Sequence, residues 1–154
     1  MIIKANIERL DEVDLIMNEI KEEMINENNP QWRSTKADYP SKKRLKEDIS
    51  NNRMYIYVED NGEYAELLEN SHKKSYIFHR LVIPKQYRNS NIATKLMRFA
   101  ETIAKENNIN VLKSDPEISN TKMNNLFIKE GYKYMVNFSY DDYPVIYKYY
   151  EKEI

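Results

Sequence analysis

The chain of 154 residues contains no cysteine, which removes disulfide frameworks, thiolate nucleophiles and cysteine-based metal sites. Its two histidines, His72 and His79, are too far apart in sequence to form a helical ligand pair, so no metal site is expected. No stretch of 18 apolar residues occurs, and Met1-Ile2-Ile3-Lys4-Ala5 lacks the apolar core and small-residue cleavage site of a secretion signal. A soluble, cytoplasmic protein with no membrane partner is expected. Neither sign of charge dominates. With 24 basic and 25 acidic side chains the net charge is -1, which argues against a nucleic-acid partner held by a broad electrostatic footprint. Glycine is also scarce, at 2 residues. Motifs that are normally recognised by glycine are therefore expected to be written here in asparagine, serine or alanine.

What is present fits one domain spanning residues 1–154, long enough to bury roughly two thirds of its unfolded surface. A short strand at residues 2–5 precedes a helix in which Leu10, Val13, Ile16, Met17, Ile20 and Met24 recur at helical spacing, with Asn6 as its cap and Asn28-Asn29-Pro30 as its stop. A loop holding the only tryptophan, Trp32, leads through Tyr39-Pro40 to a second helix from Ser41, with Leu45 and Ile49 on one face. The cluster Lys42, Lys43, Arg44 and Lys46 reads as a solvated face. Residues 54–58 and 64–68 form a hairpin around Asp60-Asn61-Gly62. Residues 76–83 are a strand stopped by Pro84, and residues 91–106 an amphipathic helix. A buried strand follows at 109–113, parallel to 76–83 because a helix connects them. Ser119-Asn120 opens another helix carrying Met123, Leu126 and Phe127, with Gly131 at its C′ position. The chain closes with a tyrosine-rich hairpin, 134–138 against 144–150. Its last strand could pair with a second copy of the chain if it lies at a sheet edge, which would give a homodimer.

Everything is arranged about residues 75–94. Strand, polar turn and helix follow one another there, and a helix start leaves backbone N–H groups unpaired beside a partial positive charge, a seat for phosphate oxygens. Tyr87-Arg88-Asn89-Ser90-Asn91-Ile92-Ala93 supplies that start, and an ordinary strand-to-helix connection capped by Ser90 or Asn91 is the competing reading. The stretch His79-Arg80-Leu81-Val82-Ile83-Pro84-Lys85-Gln86-Tyr87-Arg88 with Asn89-Ser90-Asn91-Ile92-Ala93 resembles the acyl-CoA-binding motif of the GNAT superfamily of N-acetyltransferases, Arg/Gln, two residues, Gly, one residue, then Gly or Ala. Arg88 and Ala93 match its ends, and Asn91 stands where the family has its middle glycine.

The resemblance extends along nearly the whole chain and implies the GNAT acyl-CoA N-acyltransferase fold: an α/β (α+β) architecture with a central mixed, mostly antiparallel sheet of about six to seven strands flanked by about four helices. It implies acetyl-CoA as co-substrate, held by Leu81, Val82, Ile83, Arg88, Asn89, Ser90, Asn91, Ile92, Ala93, Thr94 and Asn120. Asn120 matches the asparagine of the family's second half-motif, and a plain N-cap is its rival role. The two central strands are expected to splay around the pantetheine arm, with a backbone N–H near Val82 facing the carbonyl oxygen. His79 stands where the family often has a catalytic glutamate and is the candidate base, a strand histidine held by a neighbour being the alternative. Phe127 stands where many members have a tyrosine acid, and Tyr132, Tyr143 and Tyr147 are its conceivable substitutes. Trp32, Tyr39 and Tyr143 are expected to wall the pocket for the acceptor, a primary amine of a small molecule or peptide. A non-catalytic CoA-binding or interaction module of the same fold is the alternative function.

Overall fold

The computed structural model describes residues 1–32, 39–59, 62–71, 75–139 and 145–154. Seven strands form one sheet: β1 (Ile2–Lys4), β2 (Met54–Glu59), β3 (Gly62–Ser71), β4 (Ser75–His79), β5 (Val111–Ser114), β6 (Lys133–Phe138) and β7 (Tyr147–Glu153). Their order is β1-β2-β3-β4-β5-β7-β6. Every neighbouring pair is antiparallel except β4 and β5, which run parallel as the helical crossover requires. The helices are α1 (Leu10–Asn26), α2 (Lys42–Ser50), α3 (Ile92–Glu106) and α4 (Thr121–Lys129). Mixed sheet and helix count agree with the expected fold.

Alternation along β2 divides the core in two. Met54 and Ile56 are buried against Val13, Met17 and Ile20 of α1 and Leu45 and Ile49 of α2. Tyr55 lies on the other face, with Met97, Ala100 and Ala104 of α3, Phe127 of α4 and Tyr150 of β7. Two helices therefore cover each face of the sheet. Phe78 and Phe127 stack with centroids 5.6 Å apart, and Tyr150 stacks on Phe127 at 5.2 Å, fixing α4 against the strands.

Several local expectations shift. Asn6 precedes a 3-10 turn, Ile7–Arg9, and makes no side-chain cap bond; α1 begins after that turn. Ser41 does cap α2, its hydroxyl accepting from the Arg44 N–H at 3.2 Å. The last strand, β7, is paired on both sides, so the edge is β6, where Tyr134, Met135 and Val136 are each 51% exposed. The hairpin turn at Asp60-Asn61 and the residues 140–144, Tyr143 among them, lie outside the described residues. Seven described residues have positive φ: Asn28, Asn52, Arg80, Asn89, Asn91, Asn108 and Gly131. Five are asparagines, among them Asn91, the position where a residue tolerant of the left-handed region was expected in place of glycine. No helix among the described residues is long and apolar enough to cross a membrane.

Candidate active site

β4 and β5 stop pairing before they end. Their register runs from Ser75 opposite Val111 to Ile77 opposite Lys113, and beyond it side chains span the widening gap. Ser114 Oγ donates to the Phe78 carbonyl at 2.9 Å. One step further, His79 Nδ1 lies 3.0 Å from Asp115 Oδ1. The chain then turns sharply at Arg80, φ 55°. Among the described residues no backbone hydrogen bond engages the N–H of Leu81, Val82 or Ile83, so three strand-edge donors line the opening.

The polar loop follows. Asn89 (φ 65°) and Asn91 (φ 61°) both occupy the left-handed region, and the Asn91 side chain makes no cap bond to α3. Ser90 Oγ is hydrogen-bonded back to the Tyr87 carbonyl. With no cap bond from Asn91, the first N–H groups of α3, those of Ile92, Ala93 and Thr94, have no partner within the helix. A cavity of about 370 Å³ lies here, lined by residues 81–83, residues 88–94 and Asn120. All eleven residues expected to hold the cofactor therefore meet around one space. They contribute different things. The Ile92 side chain is buried in the core, leaving its backbone to face the loop, and the Thr94 hydroxyl donates to Glu130 Oε1 at 2.9 Å. Lys122 and Lys129 line the same cavity from α4.

Arg88 departs most from expectation. Its two terminal nitrogens each donate to a Glu23 oxygen of α1 at 2.5 Å, and its Nε donates to the Ile83 carbonyl at 2.9 Å. Those hydrogen bonds hold the Glu23 carboxyl below its ordinary value and raise the arginine. Arg88 thus joins α1 to the loop, with three of its five N–H groups engaged in these bonds.

A second cavity, about 440 Å³, adjoins the first and shares Met24, Leu81, Asn120 and Met123 with it. Trp32, Tyr39 and His79 line it together, joined by Arg44, Arg80, Asp115 and Tyr147. Asn120 takes the N-cap role, its Oδ1 accepting from the Met123 N–H at 3.2 Å to cap α4, and the residue lies at the junction, bordering both cavities. Phe127 forms part of the pocket floor and donates nothing. Tyr132 lies in the aromatic core and lines neither cavity. Tyr147 reaches the pocket, with its hydroxyl 3.4 Å from the Gln31 carbonyl.

Asp115, Glu23, Asp48 and Arg80 were not foreseen as site residues. Asp48 offered a signal, since its spacing from Leu45 and Ile49 puts a carboxylate on the apolar face of α2. It is fully buried and receives Arg80 Nη2 at 2.6 Å and Arg53 Nη2 at 2.7 Å, with Arg44 Nε at 3.5 Å. Arg44 thus leaves the solvated face assigned to its cluster, whereas Lys42 lies outside and pairs with Asp11 at 2.6 Å.

The family model described as "Acetyltransferase (GNAT) family" matches residues 21–132. No curated protein matches the chain. Among solved structures it is similar to a GNAT-family acetyltransferase of Streptococcus agalactiae, at 19% identity and TM-score 0.83 over 100% of this chain and 95% of that one. A GNAT-family acetyltransferase of Listeria monocytogenes gives 14% identity and TM-score 0.78 over 100% and 94%. A Bacillus anthracis protein provisionally described as a streptothricin acetyltransferase, solved in complex with acetyl coenzyme A, gives 16% identity and TM-score 0.60 over 66% of this chain and 61% of that one. Identities this low carry the fold alone. The family match carries more, because its span includes the splayed strands, the asparagine-written loop and the opening of α4: this chain belongs to the GNAT family of acetyltransferases.

Proposed function

We propose that this protein transfers the acetyl group of acetyl-CoA to a primary amine of a small molecule or peptide, by direct attack within a ternary complex. The observation that carries the reading is the meeting of two cavities at Leu81 and Asn120, one lined by unpaired backbone donors and a helix start, the other by a histidine–carboxylate pair. Acetyl-CoA, when bound, supplies a thioester carbonyl as the electrophile. The donor set fits such a ligand: an anionic end at the N–H groups of residues 89–94, and an amide-bearing arm at the open strand edge of Leu81 and Ile83.

Asp115 is a carboxylate and has no proton to give, so the 3.0 Å contact requires the proton on His79 Nδ1. That leaves Nε2 as the basic nitrogen of the ring. His79 takes the proton from the attacking amine, and Asp115 holds the ring and stabilises the imidazolium that results. The Val82 N–H faces the oxygen as it gains charge. The departing thiol is acidic enough, with a pKa near 8.5 as a residue-type reference, to leave with little assistance, which makes the inert ring of Phe127 tolerable.

The test begins with thermal unfolding beside acetyl-CoA, CoA and ATP. Ligand at a hundred times Kd adds about 2.7 kcal/mol and raises Tm by roughly 5–10 °C for a chain of this size. Both CoA forms should give the shift, ATP should not, and a panel of primary amines should then release thiol. A shift with no turnover of any amine would instead favour the binding-module reading, to which Phe127 and the Glu23-bound Arg88 lend support. No shift at all would sink both.

A further inference from the structure

The acceptor cavity is lined by groups of unlike charge. His79 and Asp115 border it, and so do Arg44 and Arg80. The Arg80 side chain is only 2% exposed, donating through Nη2 to Asp48 at 2.6 Å and through Nη1 to the Tyr39 hydroxyl at 2.9 Å. Its Nε is buried and makes no hydrogen bond to any described residue. The fold holds this arginine at a φ of 55°, a left-handed conformation that disfavours any residue with a Cβ. Asp48, meanwhile, is one carboxylate shared among three guanidinium groups. A well-packed apolar cluster of the same volume is commonly no less stable than a buried ionic one, so packing alone does not account for the concentration of positive charge at the pocket wall.

We propose that this wall recognises a carboxylate, and that the acceptor is an amine bearing one: an amino acid or a molecule of similar size and chemistry. The inference rests on the acetyltransferase reading and names its substrate class. Arg44, partly exposed on the pocket wall, receives the substrate carboxylate, with the Arg80 guanidinium behind it. A guanidinium fork is the side chain best matched to that group. Asp115, which lines the same cavity beside His79, repels a carboxylate and attracts an ammonium, which favours the pose with the substrate nitrogen beside His79. A cavity of about 440 Å³ lies toward the smaller end of ligand pockets, which suits an acceptor of this size.

The experiment measures thiol release at saturating acetyl-CoA from the standard amino acids, each paired with its carboxamide and its decarboxylated amine. The best amino acid should exceed both partners in kcat/KM by roughly tenfold to a hundredfold, the usual worth of a charge-assisted hydrogen bond. Arg44→Gln should reduce that preference to near unity by raising KM for the acid, while the Tm shift produced by acetyl-CoA persists and shows that the fold and cofactor cleft are intact. Equal use of the carboxamides, turnover of amines alone, or a preference that survives Arg44→Gln would overturn the proposal and leave the acetyltransferase reading standing. If acetyl-CoA gives no Tm shift in the wild-type protein, the reading fails first and the proposal falls with it.

Discussion

Glu23→Gln tests how the cofactor cleft is held together. The native pair consists of two charge-assisted hydrogen bonds of 2.5 Å between α1 and the polar loop, with side chains 24% and 28% exposed. Fully exposed pairs contribute about 0.2–1 kcal/mol, and individual hydrogen bonds to charged groups about 1.5–3 kcal/mol. A bidentate pair that is a quarter exposed falls between these limits, and a coupling energy of about 1–2 kcal/mol is expected. Urea unfolding of the wild type, Glu23→Gln, Arg88→Gln and the double variant gives that coupling directly. The pH dependence adds a sign. Hydrogen bonding from Arg88, foremost, lowers the Glu23 carboxyl from its ordinary value of 4.5, with the charges of Arg88, Lys122 and Lys85 acting the same way and burial opposing them. A depressed carboxylate contributes stability that is fully present above its unfolded value and is lost as pH falls through the folded one. The deficit of Glu23→Gln should therefore be complete at pH 7 and fade below pH 4.5. A coupling under about 0.5 kcal/mol, or a deficit unchanged in acid, refutes the latch. The same variant removes a negative charge from the cofactor cavity while the Ile83 carbonyl still holds Arg88 Nε. Acetyl-CoA should then bind a few-fold more tightly; weaker binding would mean that Glu23 acts mainly by shaping the loop.

Other perturbations separate the remaining roles. His79→Gln should lower kcat by roughly a hundredfold or more without altering acetyl-CoA affinity; a variant of near-native kcat would remove His79 from catalysis. Asp115→Asn should cost about tenfold in kcat with KM little changed; a near-native kcat would reduce Asp115 to a structural contact. Asp48→Asn leaves three guanidinium groups without their common charge and should destabilise by about 3–5 kcal/mol, read as a large fall in the urea midpoint. Asn91→Gly should leave stability within about 1 kcal/mol of native because φ 61° suits glycine, whereas Asn91→Val should cost more than that and weaken acetyl-CoA binding; equal behaviour of the two variants would show that the backbone conformation there does not matter.

The parts of this fold that were legible in the sequence are those written locally. The amphipathic stripes of α1 and α3 and the alternation of β2 each declare a buried face within a dozen residues. The asparagines of the polar loop could be read as glycine equivalents because left-handed backbone is a property of one residue at a time. Partners are another matter. Arg88 was placed at the cofactor loop, but nothing within its neighbourhood says that Glu23, 65 residues earlier, holds it. The tyrosine-rich last strand looked like a possible edge because strand order is set by tertiary packing, which inserts β7 between β5 and β6. His79 and Asp115 show where the boundary lies. Sequence reasoning placed β4 parallel to β5 but could not fix their register, and a shift of one residue would turn every side chain to the other face. Once Ser75 is known to face Val111, the same offset puts Phe78 beside Ser114 and His79 beside Asp115. The splay that opens the cleft removes the backbone pairing at just those two steps, and the polar side chains take its place. The contact of His79 with Asp115 thus follows from the same register that pairs Ser75 with Val111.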